Sequence, residues 1–176
     1  MPLPDGFFLY LGSERIARRV RELARMMAQD SDPERLVVVG ILQGAALLCA
    51  DLARELDGRV RFDFLRLASY GDETMSSGRV RLVHDLQTDV ENQDVILVDD
   101  IFDTGLTLRF ATGHIASRGA RSVRTTALLA KGNAHSDPFR THWIGFDVPK
   151  GYYVGYGLDY AGRFRGMPDI YRRDLP

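Results

Sequence analysis

Asp99, Asp100 and Asp103 place three carboxylates within five positions of the segment VILVDDIFDTGLTL, residues 95–108. The first two close a run of apolar, β-branched residues with the character of a buried strand. A charge in such a place is costly unless a cation or hydrogen-bond donors meet it. The residues that follow have the opposite character. Gly105 permits tight curvature, Thr104 and Thr107 bring hydroxyl donors, and a helix opening there offers free N–H groups suited to phosphate. Acids beside an anion cradle fit a ligand with hydroxyls at one end and phosphate at the other, such as a phosphorylated sugar. The plainer alternative is that Asp99 and Asp100 cap the strand and Asp103 caps the helix. Neither a G-x-x-x-x-G-K-[ST] loop nor a G-x-G-x-x-G fingerprint is present.

The surrounding pattern supplies elements that could position these groups. Leu36 to Leu42 and Val95 to Asp100 read as buried strands, and Ser122 to Ala130 as a third. Ser13 is placed to cap a helix from about Glu14 to Ala28, with Ile16, Val20, Leu23 and Met27 on one face. On its opposite face Arg15, Arg18, Glu22 and Arg25 read as solvated. A mostly apolar helix runs from Ala45 to Leu56 and takes Cys49 into the core. Thr107 to Ser117 is a helix with Gly119 at its C-terminal cap. Arg59 to Leu67 and Arg79 to His84 alternate as half-buried strands around a long loop, Ser69 to Gly78, and His84 is a surface histidine. Short strands are expected at Trp143 to Phe146 and Tyr153 to Tyr156. Alternating buried strands and helices predict an α/β fold with a mainly parallel sheet, whose ligands bind beyond the carboxyl ends of the strands.

Composition narrows the function. The 176 residues suit about one domain. Lys and Arg number 23 against 24 Asp and Glu, which argues against a nucleic-acid coat or a basic membrane binder. The single cysteine, Cys49, excludes an intrachain disulfide and fits a reducing compartment. With neither a signal-like start nor a long apolar run, the expected location is cytoplasmic.

VILVDDIFDTGLTL closely resembles the phosphoribosyl-pyrophosphate (PRPP) motif of type I phosphoribosyltransferases, in particular the hypoxanthine(-guanine) branch. The resemblance extends over residues 36–165, and other segments follow in the family's order. Leu42-Gln43-Gly44 matches the pyrophosphate loop, and Ser69-Tyr70 the start of the flexible catalytic loop. Lys131 matches the base-recognition lysine, and residues 152–160 the purine-binding hood. Arg165 matches an arginine that meets pyrophosphate.

This resemblance implies a single domain over residues 1–176. Its core covers about residues 34–148, and a small hood comes from the N-terminal segment and about residues 149–176. It implies Mg2+-dependent transfer of 5-phosphoribose from PRPP to N9 of hypoxanthine, and of guanine, with release of pyrophosphate. Asp99 and Asp100 would hold the ribose hydroxyls and take part in binding metal. Asp103 would act as general acid/base near N7. Asp103, Thr104, Gly105, Leu106 and Thr107 would wrap the 5′-phosphate, while Gln43, Gly44, Ser69, Tyr70 and Arg165 would meet pyrophosphate. Lys131 would donate to O6, Tyr152 would stack on the purine, and the Tyr153 backbone would meet its edge. Asp159 would help to ligate a second Mg2+ beside the purine. A homo-oligomer, dimer or tetramer, is implied as well.

Two residues depart from the family pattern. Gln43 stands where Lys is usual, and Asp99 where Glu is commoner. The family also tends to hold a cis peptide at the position of Leu42-Gln43. Two other functions are compatible with the motif: a regulator that binds PRPP or a nucleotide without turnover, and a phosphoribosyltransferase for another base such as xanthine.

Overall fold

The computed structural model describes residue 3 and residues 5–70, 79–132 and 139–175; the side chains of residues 69, 70 and 79 lie outside it. In chain order the elements are β1 (Phe8–Leu11), α1 (Ser13–Gln29), β2 (Leu36–Leu42), α2 (Ala46–Glu55), β3 (Arg61–Tyr70) and β4 (Arg79–His84). They continue as β5 (Asp94–Phe102), α3 (Leu106–Ser117), β6 (Ser122–Lys131), β7 (Trp143–Val148), β8 (Tyr152–Val154) and β9 (Ile170–Arg173).

The larger sheet has six strands in the order β4-β3-β2-β5-β6-β7. All neighbours run parallel except β3 and β4, which form an antiparallel pair. The mainly parallel sheet predicted by the strand–helix alternation is therefore present. From β2 the chain crosses outward to β3, whereas from β5 it proceeds the other way to β6 and β7. The order reverses between β2 and β5, and at such a switch the loops leave in opposite directions and open a crevice.

Each face of the sheet packs its own core. Leu36 and Val38 of β2, with Ile96 and Val98 of β5, point toward α1 and α2. Val37, Val39 and Ile41, with Val95 and Leu97, point toward Leu108, Ala111 and Ile115 of α3. The alternation explains why both strands are apolar at nearly every position: neither face meets water. Cys49 lies in the first core, where burial pushes its thiol up to about 12, with the Asp99 charge adding to the shift. It is a packing residue, as expected.

The predicted solvated face of α1, Arg15, Arg18, Glu22 and Arg25, is exposed, while Arg19, outside that set, reaches across to β7. Its guanidinium donates to the carbonyls of Gly145 at 2.7 Å and Ile144 at 2.8 Å. Ser13 does not cap α1. The cap is Gly12, and the Ser13 N–H instead donates to Asp169 Oδ1 at 2.7 Å. A carboxylate 156 residues away thus takes the role assigned to the local hydroxyl.

β1, β9 and β8 form a second, three-stranded antiparallel sheet. β1 and β9 were not expected from the sequence. The strand predicted at Tyr153 to Tyr156 begins and ends earlier, because Tyr156 turns out of it with φ of 49°. Tyr153 and Ile170 join the core on the α1–α2 side, which seats the small sheet on the large one.

Candidate active site

The crevice between β2 and β5 brings Gln43-Gly44 against the acidic end of β5. The Leu42-Gln43 peptide is cis, matching the resemblance. A Cβ built on Gly44 would stand 1.7 Å from Asp100 Oδ2. Only a residue without a side chain lets the carboxylate lie there. Asp99 is 7% exposed. Burial, reinforced by the Asp100 charge, holds its carboxyl well above the usual carboxylate range. Burial also raises Asp100, opposed by its hydrogen bonds and by the Arg165 charge. The pair is therefore poised to gain from hydroxyl donors or a cation.

β5 runs on through Ile101 and Phe102 before turning at residues 103–105 into α3. Gly105 caps α3 with φ of 70°. Asp103 is not the cap, so that part of the alternative is overturned, although the Asp99 and Asp100 carboxylates do accept the N–H groups of Asp100 and Ile101. Asp103 Oδ2 instead accepts a hydrogen bond from Lys131 Nζ at 2.6 Å. Asp99, Asp103, Thr104, Gly105 and Thr107 line one recess, together with Ile101, Phe102 and Leu108. The first-turn N–H groups of α3 have no acceptor within the helix. Lys131 ends β6, next to β5 in the sheet, so the parallel register delivers the lysine and the acidic turn to the same edge.

The third wall is the turn after β8. Gly157 has φ of 98°, and a Cβ there would stand 2.0 Å from the carbonyl oxygen of Gly44. The Gly157 carbonyl accepts from Arg165 Nη1 at 2.6 Å, while Arg165 Nη2 pairs with Asp159 Oδ1 at 2.5 Å. Asp159 Oδ2 also accepts from the Gly162 N–H at 2.7 Å. The predicted pyrophosphate residues Gln43, Gly44 and Arg165 thus adjoin one another through Gly157, which sequence reasoning did not single out. Its signal was the Gly155-Tyr156-Gly157 spacing inside an aromatic run.

Tyr152 is 48% exposed, so a ring face is accessible, while Tyr153 is buried with its hydroxyl donating to the Pro149 carbonyl at 2.6 Å. Ser69 and Tyr70 belong to the backbone of β3, paired with Val80 and Arg79. The loop expected through Gly78 lies outside the described residues from 71 onward. His84 is exposed, as expected. Among the described residues, no three His, Cys, Asp or Glu side chains converge as a metal cage, so Asp99, Asp100 and Asp159 do not form one. Two adjacent carboxylates fit an ion that keeps its waters and takes other oxygens from a substrate, which is the habit of Mg2+ rather than of a caged metal.

No helix among the described residues is long and apolar enough to cross a membrane. Comparison with known proteins agrees with the geometry. Residues 10–161 match the model of the phosphoribosyl transferase domain. The hypoxanthine-guanine phosphoribosyltransferase of Bacillus subtilis (strain 168) is 36% identical over 91% of this chain and 89% of its own. That of Aquifex aeolicus (strain VF5) is 40% identical over 93% of this chain and 92% of its own. A crystal structure of a hypoxanthine phosphoribosyltransferase from Staphylococcus aureus superposes with a TM-score of 0.88 at 34% identity, covering 95% of this chain and 91% of that one. The chain therefore belongs to the phosphoribosyl transferase family.

Proposed function

We propose that the chain serves purine salvage by transferring phosphoribose from PRPP to hypoxanthine and guanine, giving the nucleotide and pyrophosphate. The family and its hypoxanthine-guanine relatives support the reaction. The observation that carries the residue assignment is the 2.6 Å contact between Lys131 and Asp103 beside the α3 loop. An ammonium donor and a carboxylate side by side support reading the two as partners of the neighbouring atoms O6 and N7 on one edge of a 6-oxopurine.

In the reaction the bond between ribose C1′ and the pyrophosphate oxygen breaks, and the bond from N9 to C1′ forms. Asp103 takes up the proton that the base gives up, a role worth roughly 10²–10⁴-fold. Thr104 to Thr107 and the first turn of α3 hold the 5′-phosphate by N–H and hydroxyl donors. Asp99 and Asp100 receive the ribose hydroxyls. The N–H groups around Gly44, with Gln43 and Arg165, hold the departing pyrophosphate; Ser69 and Tyr70 are assigned the same ligand by resemblance. Mg2+ when bound neutralises charge on the leaving group, with Asp99 and Asp100 as its protein contacts and Asp159 beside a second ion. Tyr152 stacks on the purine and the Tyr153 backbone meets its edge. Adenine is disfavoured because its 6-amino group presents donors, where a 6-oxopurine presents an acceptor, to the lysine ammonium. The cytoplasm, where PRPP and free purines meet, and a dimer or tetramer complete the proposal.

The test is a substrate panel with purified protein, PRPP and Mg2+, followed by ultraviolet absorbance. Turnover with hypoxanthine and guanine and little with adenine is expected. PRPP binding without turnover of any purine would favour the regulator, and preferential turnover of xanthine would reassign the base.

A further inference from the structure

Arg173 in β9 is surrounded by aromatic rings. Its guanidinium carbon lies 5.1 Å from the ring centroid of Phe7, 5.1 Å from that of Tyr152 and 5.2 Å from that of Tyr160. Phe7 and Tyr160 themselves meet edge to face, with centroids 5.9 Å apart and ring planes at 69°. Among the described residues the guanidinium makes no ion pair, so its partners are rings. The three rings come from different parts of the chain: before β1, at the start of β8, and in the turn that carries Asp159.

We propose that Arg173 is a positioning residue for the purine, acting through Tyr152; this rests on the reading of Tyr152 as the stacking platform. An aromatic ring has two faces. Arg173 lies over one, and the ring remains 48% exposed. Tyr152 opens β8 and is paired through its backbone to Arg173 itself. Strand pairing fixes its Cα but leaves an exposed side chain free to rotate about χ1. A planar, permanently charged group stacked beneath the ring removes that freedom, since moving away forfeits a cation–π contact. Phe7 and Tyr160 hold the guanidinium in turn, so the platform is braced before the base arrives. Less ordering is left for the moment of binding, and affinity for the base rises without a new contact to it.

The prediction is a selective effect on the purine. Arg173→Leu should raise KM for hypoxanthine by about three- to tenfold, the range expected for one cation–π contact, while KM for PRPP and kcat stay near their original values. Arg173→Lys, which keeps the charge but not the plane, should recover part of the loss and guards against a folding defect in the leucine variant. Tyr152→Ala should raise the same KM at least as far, and in the double variant the Arg173 effect should vanish, since its only route to the base is gone. If Tyr152→Ala raises KM for hypoxanthine but Arg173→Leu does not, the brace is refuted and the platform stands. If Tyr152→Ala changes nothing, the platform reading itself fails and the brace with it. A lower KM in Arg173→Leu would mean that the guanidinium occupies the base's own seat, which also overturns the proposal.

Discussion

The Asp100 carboxylate lies where the side chain of residue 44 would begin: a Cβ on Gly44 would come within 1.7 Å of Oδ2. The loop proposed to hold pyrophosphate and the acids proposed to hold ribose thus share one volume, and neither can be altered alone. Gly44→Ala should push Asp100 out of line. Overpacking of this kind costs about 1–3 kcal/mol, so KM for PRPP should rise by roughly tenfold or more while the purine KM changes less. Initial rates at varied PRPP measure it; an unchanged PRPP constant would show that Asp100 can move without consequence.

Asp103→Asn retains the shape of the side chain but cannot take a proton. We expect kcat to fall by about an order of magnitude or more, with PRPP binding retained as measured by calorimetry. An unaltered kcat would remove Asp103 as the acid/base.

Asp94 offers a prediction about acid stability. Hydrogen bonds from Arg121 hold its carboxyl below the usual range, helped by Ser122 Oγ at 2.6 Å, against the cost of burial. A carboxylate lowered in the folded state contributes fully above its unfolded pKa of about 3.9. That contribution fades as pH falls below this value and through the folded one. Asp94→Asn should therefore lose about 1–3 kcal/mol at pH 7, and its deficit against the parent should shrink below about pH 4. Urea unfolding at both pH values compares the two, and a constant deficit would contradict the assignment.

Tyr156 ties the hood to α2. Its hydroxyl donates to Asp51 Oδ2 at 2.6 Å, and the ring is 7% exposed. Burial and the nearby carboxylate keep the phenol neutral, its pKa pushed up. Tyr156→Phe should cost about 1 kcal/mol of stability, seen as a few degrees in Tm, with kcat preserved. A collapse of kcat at unchanged Tm would instead make this hydrogen bond part of the catalytic geometry.

The sheet was legible in the sequence wherever burial on both faces wrote a continuous apolar run, as in Leu36–Leu42 and in Val95 to Val98. The acidic turn was legible for the opposite reason: charges and glycine stood against that apolar background. What could not be read depended on distant partners. Ser13 has the chemistry of a cap, yet Asp169 provides the acceptor. β1 has four residues, two of them exposed, and acquires meaning only by pairing with β9. Lys131 alone reads as an ordinary strand end, and the order of the matched segments singled it out, but its contact with Asp103 comes only from the register of β5 and β6.

The pairing of β1 with β9 has a consequence for how the molecule comes into being. A ribosome delivers Phe8–Leu11 before the strands of the large sheet and Ile170–Arg173 after them, so β1 must wait, with Phe8 and Leu9 unpaired, while the strands between are synthesised. The parallel sheet can assemble from segments already released, but the hood cannot. Closure of the small sheet, and with it the bracing of the proposed base platform, therefore follows pairing in the large sheet, and β1 is an open edge until then.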